Sequence, residues 1–92
     1  MASVIITLKI MPESPDTDVQ ELESIIKKKI GKHTGNKEFR INIEEIAFGL
    51  KALNITFIMD ESKGSTEKLE REISDIEGVN SVNVVDVRRA FG

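Results

Sequence analysis

Apolar residues recur along this chain with two periods, and the order in which those periods follow one another outlines a fold. Over residues 3–11, Val4, Ile6, Leu8 and Ile10 alternate with Ile5, Thr7 and Lys9. A period of two, rich in β-branched residues, predicts a first strand. One face of that strand is wholly apolar and the other is mixed, as in a sheet covered on one side. Residues 12–18, Pro-Glu-Ser-Pro-Asp-Thr-Asp, read as a loop, because two prolines oppose regular pairing. Thr17 with Gln20, and Asp18 with Glu21, both fit a capping box, so a helix is predicted from about residue 18. Its apolar stripe is Val19, Leu22, Ile25, Ile26 and Ile30. Glu23 and Lys27 have the favourable i,i+4 order. Lys27, Lys28 and Lys29 then occupy the last turn, where the helix dipole favours cations, and Gly31 is placed just past the end.

Residues 31–38 are polar, contain Gly31 and Gly35, and read as a loop. Phe39, Ile41 and Ile43 alternate with Arg40 and Asn42 as a second strand. Glu44, Glu45 and Gly49 interrupt any longer one. A third strand covers Lys51 to Met59, with Leu53, Ile55, Phe57 and Met59 on one side and Asn54 and Thr56 on the other. The segment 60–65 reads as a turn. Ser65 or Thr66 can cap a second helix whose stripe is Leu69, Ile73 and Ile76, and Gly78 ends it. Val79, Val82, Val84, Val85 and Val87 form the last strand.

The predicted order is βαββαβ, two strand–helix–strand halves. Each half needs a crossover onto the sheet, and crossovers are right-handed by strong preference. Two such units side by side give an α+β sandwich of the ferredoxin-like kind: a four-stranded antiparallel sheet with both helices on one face. The 92 residues are expected to form a single domain, 1–92.

Composition narrows the functional classes more than it changes the fold. The formal net charge of -3 is a poor match to nucleic-acid binding, where phosphate contacts need clustered cations. The absence of cysteine excludes disulfides and thiolate metal sites. No apolar run approaches a membrane span, and the start lacks the pattern of a signal peptide, so the expected location is the cytoplasm.

Candidate chemistries of this fold were weighed in turn. Base stacking on the sheet needs aromatics on the central strands; the first strand has none, and Phe57 aligns with the core positions Leu53 and Ile55. The first loop has neither a cysteine pair to carry a metal nor an arginine to cradle phosphate. Its Glu13, Asp16 and Asp18 are better explained as helix-start residues than as ligands of a hard cation. Adjacent acids such as Glu44-Glu45 and Asp60-Glu61 point apart on extended chain and do not converge on one substrate. His33 reads as an exposed loop histidine. The lysines at 27–29 with Lys32, Lys37 and Arg40 read as dipole compensation and solubility rather than a binding patch. No phosphate-binding Gly-x-x-x-x-Gly-Lys-Ser/Thr segment occurs. No enzyme activity, cofactor or metal is therefore expected.

Two segments are left over. Ile46-Ala47-Phe48-Gly49-Leu50 is an apolar stretch at a strand-to-strand connection. Its Phe48 is either a buried corner residue or an exposed aromatic anchor for a partner. The tail, Asp86-Val87-Arg88-Arg89-Ala90-Phe91-Gly92, places two cations and an aromatic at the chain end. It is either solubilising trim or a probe of a neighbouring protein.

These segments carry a resemblance. Val-Ile-Ile-Thr-Leu-Lys-Ile-Met-Pro-Glu-Ser-Pro at 4–15 is similar to the opening of archaeal elongation factor 1-beta sequences. Ile-Ala-Phe-Gly-Leu-Lys-Ala-Leu at 46–53 resembles the most characteristic motif of the wider family, which includes the C-terminal domain of the eukaryotic exchange factor. Ile-Glu-Gly-Val at 76–79 and Val-Asp-Val-Arg-Arg at 85–89 also resemble archaeal members. The resemblance implies a translation factor that promotes exchange of GDP for GTP on elongation factor 1-alpha, with no bond chemistry of its own. It implies that the chain is monomeric alone and contacts neither nucleic acid nor membrane directly. It further implies a partner-binding set of Phe48, Gly49, Lys51, Arg88, Arg89 and Phe91. In the eukaryotic relatives that it resembles, the phenylalanine matching Phe48 packs into a pocket on the GTPase, and a near-terminal lysine approaches the magnesium site. Here the penultimate residue is Phe91, and the nearest cations are Arg89 and Arg88. The competing readings are a small-ligand-sensing regulatory domain and an RNA-associated domain of the same fold.

Overall fold

The computed structural model describes residues 3–35, 39–60, 62 and 66–90, apart from the Ala90 side chain. The element order is β1 (Ser3–Pro12), α1 (Val19–Thr34), β2 (Phe39–Glu45), β3 (Lys51–Asp60), α2 (Glu67–Ser74) and β4 (Val79–Ala90). The strands form one sheet in the order β2-β3-β1-β4, and every neighbouring pair is antiparallel. This is the expected α+β, ferredoxin-like βαββαβ arrangement.

The two periods of the sequence meet in one core. Ile6, Leu8 and Ile10 of β1 and Leu53, Ile55, Phe57 and Met59 of β3 are buried on the helix-covered face. Leu22, Ile26 and Ile30 of α1 and Leu69 and Ile73 of α2 close over them. α1 lies against β3 and α2, and α2 against β4. No polar or charged residue is buried among the described residues, so the apolar stripes alone hold the layers together. The other, open face is mixed: Ile5 lies opposite Ile58, the Thr7 and Thr56 hydroxyls are 3.0 Å apart, and Glu44 accepts from Asn54 Nδ2 at 3.1 Å and meets Lys9 Nζ at 3.8 Å.

Several boundaries differ from expectation: β2 runs on through Glu44 and Glu45, α2 ends at Ser74 with Asp75 as its cap rather than at Gly78, and two others have a plain local reason. Pro12 belongs to β1: it sits at the last pairing position, opposite Val79 and beside a register shift, where a missing N–H is tolerated. α1 does not stop at Gly31 but continues to Thr34, and Gly35 takes the left-handed cap at φ 73, its N–H donating to Gly31 O at 2.8 Å. The Thr34 hydroxyl donates to Ile30 O at 2.9 Å, and buried Ile30 anchors the turn that Gly31 weakens. Lys27–Lys29 therefore lie inside the helix; Lys32 and His33 occupy its last turn, and Lys27 pairs with Glu23 at 3.1 Å. His33, expected in a solvated loop, is half-buried, and its Nε2 is buried without a hydrogen-bond partner among the described residues.

The two helix starts differ as well. Asp18 caps α1 through its carboxylate, which accepts from the N–H groups of Gln20 and Glu21 at 3.0 and 3.2 Å. Thr66 occupies the cap position of α2 but makes no cap bond; its hydroxyl donates to Glu70 Oε2 at 3.0 Å. Ser65, the other candidate cap, lies outside the described residues. Asp18→Ala should thus lower stability by about 1 kcal/mol, and Thr66→Ala by a few tenths. Guanidinium unfolding of both variants checks this, with a shifted midpoint and an unchanged slope expected for Asp18→Ala.

Candidate functional site

Three connections meet at one end of the sheet. The hairpin between β2 and β3 closes there, and the β1–α1 loop and the α2–β4 loop lie beside it. Glu13 N–H donates to Gly78 O at 2.9 Å and ties the two crossover loops together. A side chain on Gly78 would come within 3.3 Å of Thr17 Cγ2, and Gly78 has φ 97, so glycine is required for that approach. A methyl group on Gly49 would lie 3.5 Å from the Pro15 ring, so the hairpin tip rests on the β1–α1 loop.

The hairpin itself is unusual. Glu45 and Lys51 form the last ladder pair. Beyond them Ile46 N–H donates to Leu50 O, and Leu50 N–H donates to Ala47 O, both at 2.9 Å. Phe48 (φ 54) and Gly49 (φ 81) are the two central residues of the resulting turn, both left-handed. Positive φ at both centres is the signature of a type I′ turn, whose twist matches that of the flanking strands and whose usual residues are Asn-Gly. Glycine meets that demand at Gly49 without penalty. Phenylalanine does not, since its Cβ crowds the backbone by roughly 1 kcal/mol or more. Phe48 is also 94% exposed, which resolves the open alternative in favour of the exposed ring. Ile46 and Lys51 are exposed beside it.

The second group of predicted residues sits at the opposite end. Arg88 pairs across the ladder with Ile5 and Arg89 with Val4, near the start of β1. Eight or so residues of strand separate this level from the hairpin, about 30 Å at the usual rise. The molecule measures 42 Å along its longest axis. The structure thus gathers Phe48, Gly49 and Lys51 at one tip and Arg88 and Arg89 at the other; Phe91 lies outside the described residues.

A β-bulge decides which way the arginines face. Leu8 pairs with Val84 and Thr7 with Asp86, leaving Val85 unpaired. One extra residue flips the side-chain alternation of everything that follows. Val87 and Arg89 consequently share the helix side with Ile6 and Val4, and Asp86 and Arg88 share the open side with Thr7 and Ile5. Arg88 Nε donates to Asp86 Oδ2 at 2.9 Å. The two neighbouring arginines therefore address opposite faces. The adjacent valines at 84 and 85, which break the alternation of β4, are the sequence signal of this bulge.

Among the described residues no group of three or more His, Asp or Glu is placed to hold a metal ion. No helix is long and apolar enough to cross a membrane. The Phe57 ring is buried on the covered side, and the open face carries no stacking aromatic among the described residues.

Comparison with known proteins identifies the family of the chain. Residues 5–90 match the EF-1 guanine nucleotide exchange domain. The elongation factor 1-beta of Methanothermobacter thermautotrophicus is 44% identical over 89 residues, covering 97% of this chain and 98% of that protein. The elongation factor 1-beta of Staphylothermus marinus is 41% identical over 90 residues, covering 97% and 98%. Among solved structures, a de novo designed protein, Foldit4, superposes with a TM-score of 0.67 at 16% identity, covering 98% of each chain. The C-terminal domain of a cyclometallase involved in the synthesis of the NPN cofactor of lactate racemase does so with a TM-score of 0.61 at 9% identity, covering 99% of this chain and 58% of that one. At those identities the two structures share the fold alone.

The turn geometry makes a stability prediction. Phe48→Asn should stabilise the chain by about 1 kcal/mol, because asparagine accepts the left-handed conformation and an almost fully exposed ring contributes no packing. Gly49→Ala should destabilise it by a similar amount, about 1 kcal/mol. Thermal unfolding of the two variants should bracket the parent.

Proposed function

The chain belongs to the EF-1 guanine nucleotide exchange domain family, and from that membership we propose that it grips elongation factor 1-alpha at two separated points and loosens the bound GDP between them. A guanine nucleotide exchange role in translation elongation follows from the family. An exchange factor acts on a partner GTPase and needs no bond chemistry of its own.

The observation that carries the finer reading is the turn at Phe48. An aromatic ring held in water on a strained backbone gives the free chain nothing, and such outliers concentrate where a ligand or partner is met. Phe48 is the anchor in this reading, entering an apolar pocket on the GTPase away from the nucleotide. Gly49 supplies the second left-handed residue that keeps the ring pointed outward, and Lys51 flanks it. The arginine end reaches the nucleotide site about 30 Å away.

At that site magnesium links the nucleotide phosphates to the GTPase and neutralises their charge. A guanidinium brought close competes for the phosphate oxygens or the carboxylates around the ion and weakens nucleotide affinity. Arginine is planar and weakly hydrated, so it presents a fork of donors where the wider family uses a lysine point charge. Arg88 must leave Asp86 to do so, at small cost, because the pair is exposed. The family resemblance assigns Phe91 to the same partner-binding set. Linkage then requires that a factor favouring the empty GTPase be displaced when GTP returns.

The two ends should separate kinetically. Phe48→Ala should raise the concentration needed for half-maximal stimulation of GDP release by about tenfold or more, with the plateau rate nearly kept, since an anchor contributes binding. Removing residues 88–92 should lower the plateau instead. Single Arg88→Ala and Arg89→Ala variants then show which face meets the nucleotide site. Stopped-flow release of fluorescent GDP from elongation factor 1-alpha reads all four, and unchanged stimulation by Phe48→Ala would remove the anchor.

A further inference from the structure

The Phe48 end of the molecule carries a group of exposed acids. Glu45 is the last β2 residue before the hairpin turn. Asp16 follows Pro15, on whose ring the Gly49 position rests. Glu13 donates its backbone N–H to Gly78, which places Glu77 beside it. These four acids are exposed, and none has a side-chain partner among the described residues. Lys51 is the cation at this tip. At the far end cations stand among acids: Arg88 pairs with Asp86, Asp60 lies opposite Ser3, and Glu67 starts α2. Arg88 and Arg89 lie opposite Ile5 and Val4, and Arg40 lies opposite Thr56 one level in. Lys32 falls in the last turn of α1, which runs back toward that end.

We infer that the surface receiving Phe48 is an apolar pocket rimmed by cations, and that the acidic tip steers the chain onto it in one orientation. The inference rests on the anchor reading above and adds the electrostatic character of the partner's surface. Four exposed acids beside Lys51 leave the tip acidic, and they repel an acidic rim and are attracted to a basic one. Two lie on the β1–α1 loop, one on the α2–β4 loop and one at the end of β2, all outside the turn that carries the ring. A chain with one acidic tip is oriented before that tip touches a basic rim, which raises the rate of productive encounter and leaves little mark on the final contact.

Two charge reversals on separate connections, Asp16→Lys and Glu45→Lys, test this against Glu72→Lys. Glu72 is an exposed α2 residue without an ion pair among the described residues, and its reversal makes the same change in net charge. At low ionic strength each tip reversal should slow association with the GTPase about tenfold, and Glu72→Lys by less than about twofold. The difference should shrink as salt is raised past the point where the screening length falls below about 10 Å. Plateau stimulation should be unchanged in all three, and unfolding curves confirm that each variant is folded. If Glu45→Lys disturbs the hairpin, Asp16→Lys decides alone. Equal effects of the tip and α2 reversals, or faster association on reversal, would overturn the cationic rim while leaving the anchor standing if Phe48→Ala still weakens binding. Full activity of Phe48→Ala would remove both.

Discussion

The tight turn at the tip of a connection between antiparallel strands must twist the way the strands do, and that demand sets the conformation of Phe48. The usual solution places asparagine and glycine at the centre; here phenylalanine takes the first place at φ 54. The backbone cost is about 1 kcal/mol, and the ring also forgoes the roughly 2 kcal/mol that burial of such a side chain provides. Both terms are a noticeable share of the stability of a chain this short. Phe48 is left almost fully exposed by the described residues, and in the proposed function a contact with the partner GTPase provides the compensation.

The rest of the architecture serves to hold that tip and to separate it from the arginines. The covered face is apolar from β1 through α2, which makes the sheet a stiff plate about 30 Å long. Pro15 beneath Gly49 and the Glu13–Gly78 bond fix the three connections at the tip to one another. At the far end the Val85 bulge aims Arg88 and Arg89 at opposite faces. A rigid spacer between an anchor and a charged end is well suited to acting on a site remote from the anchor, because displacement at one end is not absorbed by bending in the middle.

Much of this was legible in the residues. Strict alternation in β1 and β3 and the stripes of α1 and α2 report burial directly, and the core they predict is the core observed. Asp18 was recognisable as a cap because a carboxylate followed by two free N–H groups has one obvious use. The end of α1 was not, since Gly31 and Gly35 are equally good caps locally and only the packing of Ile30 chooses between them. His33 was misplaced for the same reason. Phe48 posed a different difficulty. Its Gly49 neighbour marked a turn, but whether a phenylalanine turns in or out depends on the sign of φ, which the pattern does not encode. The facing of the arginines was written in the broken alternation at Val84-Val85, readable only once a neighbouring strand supplies the register.

The account stands on the proposition that this plate pries a nucleotide from its partner. The direct measurement is the dissociation of fluorescent GDP from elongation factor 1-alpha, chased with excess unlabelled GDP, at increasing concentrations of this protein. The account predicts a rate that climbs with concentration and levels off. A rate indistinguishable from that of the GTPase alone across the whole range would contradict it.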